Sequence, residues 1–206
     1  MKFKLAIFDW NGTLLDDLQV YYHSMTEIFA SFNLPAPPLE QVREVSDFLA
    51  FYHRNGVPQQ TDWNQLDKIR EAVYRRRWQE LRLHNGAVEA LKYCRTNGLA
   101  TAIVSGELTC LLGEALKKFQ LAELLNHVRG DAWPKEPELR KTMERFDAQP
   151  DETIFIDDNL HGLEAGRKIG LVTVGAAYGY MRKNFLAKAE PNFFINSLTD
   201  LLPLIA

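Results

Sequence analysis

The chain has 206 residues, and 24 Lys and Arg against 27 Asp and Glu give it a net charge of −3. Charge so near balance gives no electrostatic footprint for nucleic acid or for an anionic membrane surface, and no apolar run reaches the roughly 20 residues that a bilayer crossing needs. An apolar content of 46% is enough to bury a sizeable core, and the length suits one large domain or a core with a small insert.

Met1-Lys2-Phe3-Lys4 leads straight into Leu5-Ala6-Ile7-Phe8, an apolar run that reads as a buried strand. No cleavable apolar segment stands ahead of it. The two cysteines, Cys94 and Cys110, have no metal-like spacing. Both lie in apolar helical surroundings and are expected to be core thiols, in a reducing cytoplasm. The strand ends at Asp9, and Trp10-Asn11-Gly12-Thr13 follows. Gly12 permits a sharp turn after the acid. Thr13 offers a hydroxyl and an N–H to an anion.

From Leu14 to about His84 the apolar residues recur at helical spacing, and no strand is expected. Tyr21, Tyr22, Met25, Ile28, Phe29 and Phe32 fit one amphipathic helix, which Asn33, Pro35, Pro37 and Pro38 end. A second helix is expected from about Leu39 to Arg54. A third starts at Asp62, a candidate N-cap, and runs past Trp78. The segment reads as an all-helical insert of roughly seventy residues, near the lower end of domain size.

From Gly86 the pattern alternates. Helices are expected over Ala87 to Asn97, Glu107 to Phe119, Lys135 to Phe146 and from Asp158 to Gly170. Between them lie strands at Ala100–Val104, His127–Arg129, Thr153–Ile156 and Leu171–Val174. Phe193–Ile195 reads as a final edge strand and Leu198 to Leu202 as a short closing helix. Strands alternating with helices imply parallel pairing with helices on both faces. The fold class is therefore α/β, a doubly wound, Rossmann-like parallel sheet with an inserted helical cap. Residues 1–14 and 85–206 form the core and residues 15–84 the cap.

Three further features fall at the C-terminal ends of expected strands, the edge where such sheets bind ligands and where Asp9 lies. Ser105 follows a strand and opens a helix, where it either holds an anion or caps the helix. Lys135, in Trp133-Pro134-Lys135-Glu136-Pro137, either neutralises an anion or is a solvated surface residue. Asp157 and Asp158 repeat the strand-to-acid geometry of Asp9. Three carboxylates in one crevice require a cation, and an all-oxygen donor set points to Mg²⁺.

Asp9-Trp10-Asn11-Gly12-Thr13, Val104-Ser105-Gly106, Lys135 before Pro137, and Ile156-Asp157-Asp158 leading to Gly162 occur in that order. As a set they resemble the haloacid dehalogenase superfamily of phosphohydrolases, in its phosphoglycolate phosphatase and β-phosphoglucomutase branch. The insert resembles that branch's cap, and Asn85-Gly86-Ala87-Val88-Glu89-Ala90-Leu91 its return to the core. The resemblance implies that Asp9 attacks phosphorus and forms an aspartyl-phosphate. It implies that Mg²⁺ is held by Asp9, the backbone carbonyl of Asn11, Asp158 and, directly or through water, Asp157. Ser105 and the N–H groups of Trp10 and Gly106 would bind phosphoryl oxygens, and Lys135 would stabilise the charge in flight.

One residue departs from that pattern. Phosphatases of this branch carry a second Asp two residues after the nucleophile, to protonate the leaving group and activate water; here it is Asn11. An amide hydrogen-bonds but does not exchange a proton near neutral pH. The expected function is thus Mg²⁺-dependent hydrolysis of a small phosphorylated metabolite, attenuated at this step. The competing reading is a weak or inactive member that binds a phosphorylated metabolite or a protein, and a dehalogenase fits less well because Asp157 and Asp158 would then lack a purpose. His23 is a guess for a replacement proton carrier. His53 and Arg54 are weak candidates for specificity, and His84 and His161 flank the expected cleft. A monomer or homodimer is expected, with no nucleic-acid or membrane partner.

Overall fold

A computed structural model describes residues 3–206; Met1 and Lys2, read above as part of the lead into the first strand, lie outside the described residues. In chain order the elements are β1 (Leu5–Phe8), β2 (Leu15–Asp16), α1 (Leu18–Ser31), α2 (Leu39–Val42), α3 (Phe48–Arg54), α4 (Trp63–Arg76), β3 (Arg82–Leu83), α5 (Ala87–Thr96), β4 (Ala100–Val104), α6 (Thr109–Lys118), β5 (His127–Arg129), α7 (Lys135–Arg145), β6 (Thr153–Asp157), α8 (Leu160–Lys168), β7 (Val172–Ala176), α9 (Lys183–Leu186) and β8 (Phe193–Ile195). The chain divides into two compact units, one formed by the chain up to Asp16 with Leu83–Ala206, the other by Asp17–Arg82.

In the first unit six strands form one sheet in the order β5-β4-β1-β6-β7-β8, every pair parallel. All four side chains of β1 are buried, as are all five of β6. Continuous apolar runs without polar alternation are what a strand covered on both faces requires. The register sets Phe8 level with Ile103 on one side and Ile156 on the other. The chain moves outward from β1 through β4 to β5, then returns to β6 on the opposite side. That reversal beside β1 opens a crevice at the C-terminal edge of the sheet. Leu5, Ile7, Ala102, Val104, Leu139 and Phe155 pack into one buried cluster beneath it.

The second unit carries α1 to α4. Its aromatic side chains make edge contacts: Tyr21 with Phe48 at 5.0 Å between ring centroids and Tyr52 with Trp63 at 6.4 Å, the geometry that ring quadrupoles favour. Burial pushes the Tyr21 hydroxyl well above its ordinary pKa and that of Tyr52 up to about 12, so both stay neutral. Asp17, the unit's first residue, is 1% exposed, and the Tyr74 hydroxyl donates to its Oδ2 at 2.5 Å. Tyr74→Phe removes that donor from a buried carboxylate, and denaturant unfolding is expected to show a loss of roughly 1–3 kcal/mol.

Three expectations need correction. The helix foreseen from Leu39 to Arg54 is two helices, because Asp47 caps α3 by accepting the Ala50 N–H at 2.9 Å, and a residue that satisfies an N-terminal donor starts a helix of its own. The segment read as strand-free contains both β2 and β3, which pair in a two-stranded sheet of their own. Two-residue strands are too short to carry an alternating pattern. Cys110 is exposed, whereas Cys94 is buried as foreseen and burial pushes its thiol up to about 12. α9 had no sequence signal.

Candidate active site

Asp9 follows β1 directly, and its N–H donates to the Ile156 carbonyl at 2.9 Å, so the sheet ladder holds it at the end of β6. Asp157 closes β6 and Asp158 is next. One carboxylate oxygen from each of Asp9, Asp157 and Asp158 lies within 4.8 Å of the others. The three residues are 6%, 0% and 2% exposed. Lys135, at the first position of α7, is buried too and sets Nζ 2.7 Å from Asp9 Oδ1 and 2.5 Å from Asp157 Oδ2. Of the two readings left open for Lys135, a solvated surface position is excluded by its burial against two acids.

One ammonium faces three carboxylates. Burial pushes Asp157 up to about 7, against the pull of Lys135. Burial also drives Asp158 well above the ordinary carboxylate range, and the charges of Asp9 and Asp157 add to it. Burial pulls Lys135 down, but Asp157 and Asp9 outweigh it and hold the ammonium above its usual range. A buried set of acids short of positive charge, offering only oxygen donors, fits a hard divalent cation.

The acids are fixed as well as crowded. Asp157 Oδ1 accepts the Asn159 N–H at 2.8 Å. Asp158 accepts the Thr13 hydroxyl at 3.1 Å on Oδ1 and the Tyr180 N–H at 2.6 Å on Oδ2. Two glycines make room for them. Gly12 has φ +75°, and a Cβ there would overlap the Asp158 carboxylate; a Cβ at Gly162 would overlap that of Asp157. Any side chain at position 162 would therefore displace an acid already in place.

The loop after β4 stands beside the loop after β1. Ser105 is 1% exposed, its N–H donates to Arg129 O and its carbonyl accepts from Ala132, both at 2.9 Å. Its Oγ accepts the Glu107 N–H at 3.2 Å, which leaves the hydroxyl proton to be given elsewhere. Asn11 donates from Nδ2 to Glu107 Oε2 at 2.9 Å.

Residues 6–176 match the family described as haloacid dehalogenase-like hydrolase. The chain belongs to this hydrolase family. It is 25% identical to phosphoglycolate phosphatase 1 of Pseudomonas aeruginosa, over 97% of this chain and 79% of that one. It is 22% identical to the pyrophosphatase PpaX of Halalkalibacterium halodurans, over 100% and 98% of the two chains. In fold it resembles a hydrolase from Pseudomonas syringae, with TM-score 0.82 at 20% identity over 98% and 97% of the chains. It also resembles a haloacid dehalogenase-like family hydrolase from Streptococcus pneumoniae, with TM-score 0.77 at 16% identity over 99% of each.

In this hydrolase the structure gathers Asp9, Lys135, Asp157 and Asp158 into one cluster and sets Asn11 against the loop of Ser105 and Gly106. Two anion-site expectations change. Thr13 is fully buried and gives its proton to Asp158, so its hydroxyl holds an acid and has no proton left for a phosphate. Ser105 does not open a helix, because α6 begins at Thr109. The Trp10 side chain is 1% exposed, and its carbonyl accepts the N–H groups of Thr13, Leu14 and Leu15, which ties the turn after Asp9. Gly106 is exposed.

His84 stacks edge-on against Tyr178 at 4.7 Å, and burial holds its pKa below the ordinary value against Asp16 and the Gly12 backbone. His161 meets Glu164 Oε2 at 3.1 Å and the Trp133 ring at 6.0 Å. In the helical unit, His53 Nε2 meets the Thr61 carbonyl at 3.0 Å. Sequence reasoning missed Glu107, which is 2% exposed, and the Tyr180 N–H. Glu107 was visible as an acid two residues past Ser105. The Tyr180 N–H carries no sequence signal, since every residue but proline has one.

Proposed function

We propose that this hydrolase is a divalent-cation-dependent phosphatase acting on small phosphomonoesters through Asp9. The observation that carries the reading is the buried group of Asp9, Lys135, Asp157 and Asp158, with Lys135 bridging the first two acids. Asp9 Oδ attacks phosphorus, the bond to the leaving oxygen breaks, and an acyl phosphate forms on Asp9. Water then attacks phosphorus, the Asp9–phosphorus bond breaks, and inorganic phosphate leaves. Lys135 pairs with the Asp9 carboxylate and aims it, and meets the negative charge of the phosphoryl group. Ser105 supplies a hydroxyl proton, and Gly106 and Trp10 supply N–H groups, to the phosphoryl oxygens. Asp9, the Asn11 carbonyl, Asp157 and Asp158 would hold Mg²⁺, which supplies charge neutralisation at the transferring group. Substrate selectivity belongs to the helical unit Asp17–Arg82, the cap of this reading.

Asn11 favours a second, attenuated reading. With no acid at position 11 the leaving oxygen takes its proton from water, and a general acid is worth roughly 10²–10⁴-fold. Leaving groups of low basicity, such as aryl and acyl phosphates, need that proton least. A phosphate-release assay with Mg²⁺ across alkyl, aryl and acyl phosphates tests both readings. Turnover skewed toward aryl and acyl esters supports the attenuated enzyme, and none on any of them removes the phosphatase.

Thr13→Val tests the metal reading. The change keeps the shape and removes the hydroxyl that holds Asp158 Oδ1. Calorimetric Mg²⁺ binding is expected to weaken by about 10–100-fold, the scale on which groups that orient ligands act.

A further inference from the structure

Glu107 is a buried acid that the reaction above does not use, and bonds from its carboxylate and its N–H fall on both loops of the site. Its Oε2 accepts the Asn11 amide at 2.9 Å and its Oε1 accepts the Leu108 N–H at 2.8 Å. Its own N–H donates to Ser105 Oγ at 3.2 Å. The two loops follow β1 and β4, which are adjacent parallel strands, so Glu107 ties the chain just after the nucleophile to the chain that carries Ser105. We infer that Glu107 is a positioning residue that sets these two loops against each other, and that position 11 is an amide because Glu107 requires a donor there.

The chemistry of the pair supports this. A carboxylate oxygen is a hydrogen-bond acceptor, and Glu107 is 2% exposed. Both of its oxygens face N–H donors, the arrangement that compensates a buried charge. An aspartate in place of Asn11 would set a second carboxylate against the first across a 2.9 Å contact, where like charges disfavour each other. Restoring the missing acid alone therefore breaks the brace. Moving the charge restores it: when Asn11→Asp is combined with Glu107→Gln, the new amide donates to the new carboxylate while its oxygen still accepts from Leu108. The kinetic arm of this inference rests on the phosphatase reading.

The test is a double-mutant cycle on wild type, Asn11→Asp, Glu107→Gln and the pair together, read by thermal melting and by kcat and KM on an aryl phosphate with Mg²⁺. Asn11→Asp is expected to melt at least about 5 °C lower and to lose activity rather than gain it. Glu107→Gln replaces one of the two acceptor oxygens by a donor and is expected to lower kcat about 10- to 100-fold, with KM within about threefold of wild type. The double variant is expected to melt within about 2 °C of wild type and to recover kcat to within about threefold or beyond it. Effects that simply add in the double variant, a single Asn11→Asp that melts like wild type, or a double variant that does not fold would overturn the inference. A wild type that releases no phosphate would remove the phosphatase reading, while the melting cycle still decides the Asn11–Glu107 pairing.

Discussion

Asp9→Asn is expected to lower phosphate release by at least about 10⁴-fold, the scale seen when a covalent nucleophile is removed. The substitution keeps the shape of the side chain and an oxygen for Lys135, which lies 2.7 Å from Asp9 Oδ1. It removes the charge that attacks phosphorus. It also takes one of three crowded acids out of the cluster, so the metal-free protein should melt no lower than wild type. A phosphate-release assay run beside a melting curve separates loss of chemistry from loss of fold. Loss of activity together with a collapsed melting temperature would assign Asp9 to structure instead.

Stability of the metal-free protein is expected to fall as pH rises toward 7, against the usual trend for carboxylates. The sign follows from burial. Asp157 is held up to about 7 in the folded chain against an ordinary value of 3.8, so the folded state binds its proton more tightly than the unfolded one. That contribution is complete below about pH 4 and is lost as pH climbs through about 7. Its size is on the order of a few kcal/mol, at about 1.4 kcal/mol for each unit. Asp158, raised in the same direction, adds to it. His84 and His127 are held below their ordinary values and act oppositely, stabilising above about pH 6.5. The comparison that isolates the acids is therefore wild type against Asp157→Asn, melted in chelator from pH 5 to 8. The wild-type curve should fall relative to the variant. Saturating Mg²⁺ should reverse the trend, because a cation binds the ionised acids and stabilises by about 2.7 kcal/mol at a hundredfold excess over its dissociation constant. A wild-type curve in chelator that rises with pH faster than that of Asp157→Asn would contradict the burial argument.

The strands of the sheet were legible because a strand buried on both faces must be an unbroken apolar run, as Leu5–Phe8 is and as Ile154, Phe155 and Ile156 are. The acids were legible because each stands where such a run stops. The helix break at Asp47 was not, since a capping side chain wins over continuing periodicity only through one local hydrogen bond. The role of Thr13 was not legible either. Its hydroxyl suits an anion or an acid equally well, and the choice depends on Asp158, 145 residues away in sequence. Glu107 escaped for the same reason: an acid after Ser105-Gly106 reads as solvated until the fold buries it against Asn11.

The measurement closest to the central claim is mass spectrometry of the protein quenched in acid during turnover of an aryl phosphate with Mg²⁺. A phosphoryl adduct on the peptide that contains Asp9, absent from Asp9→Asn, is the predicted result. Phosphate release that continues in Asp9→Asn, or an adduct on any other residue, would contradict it.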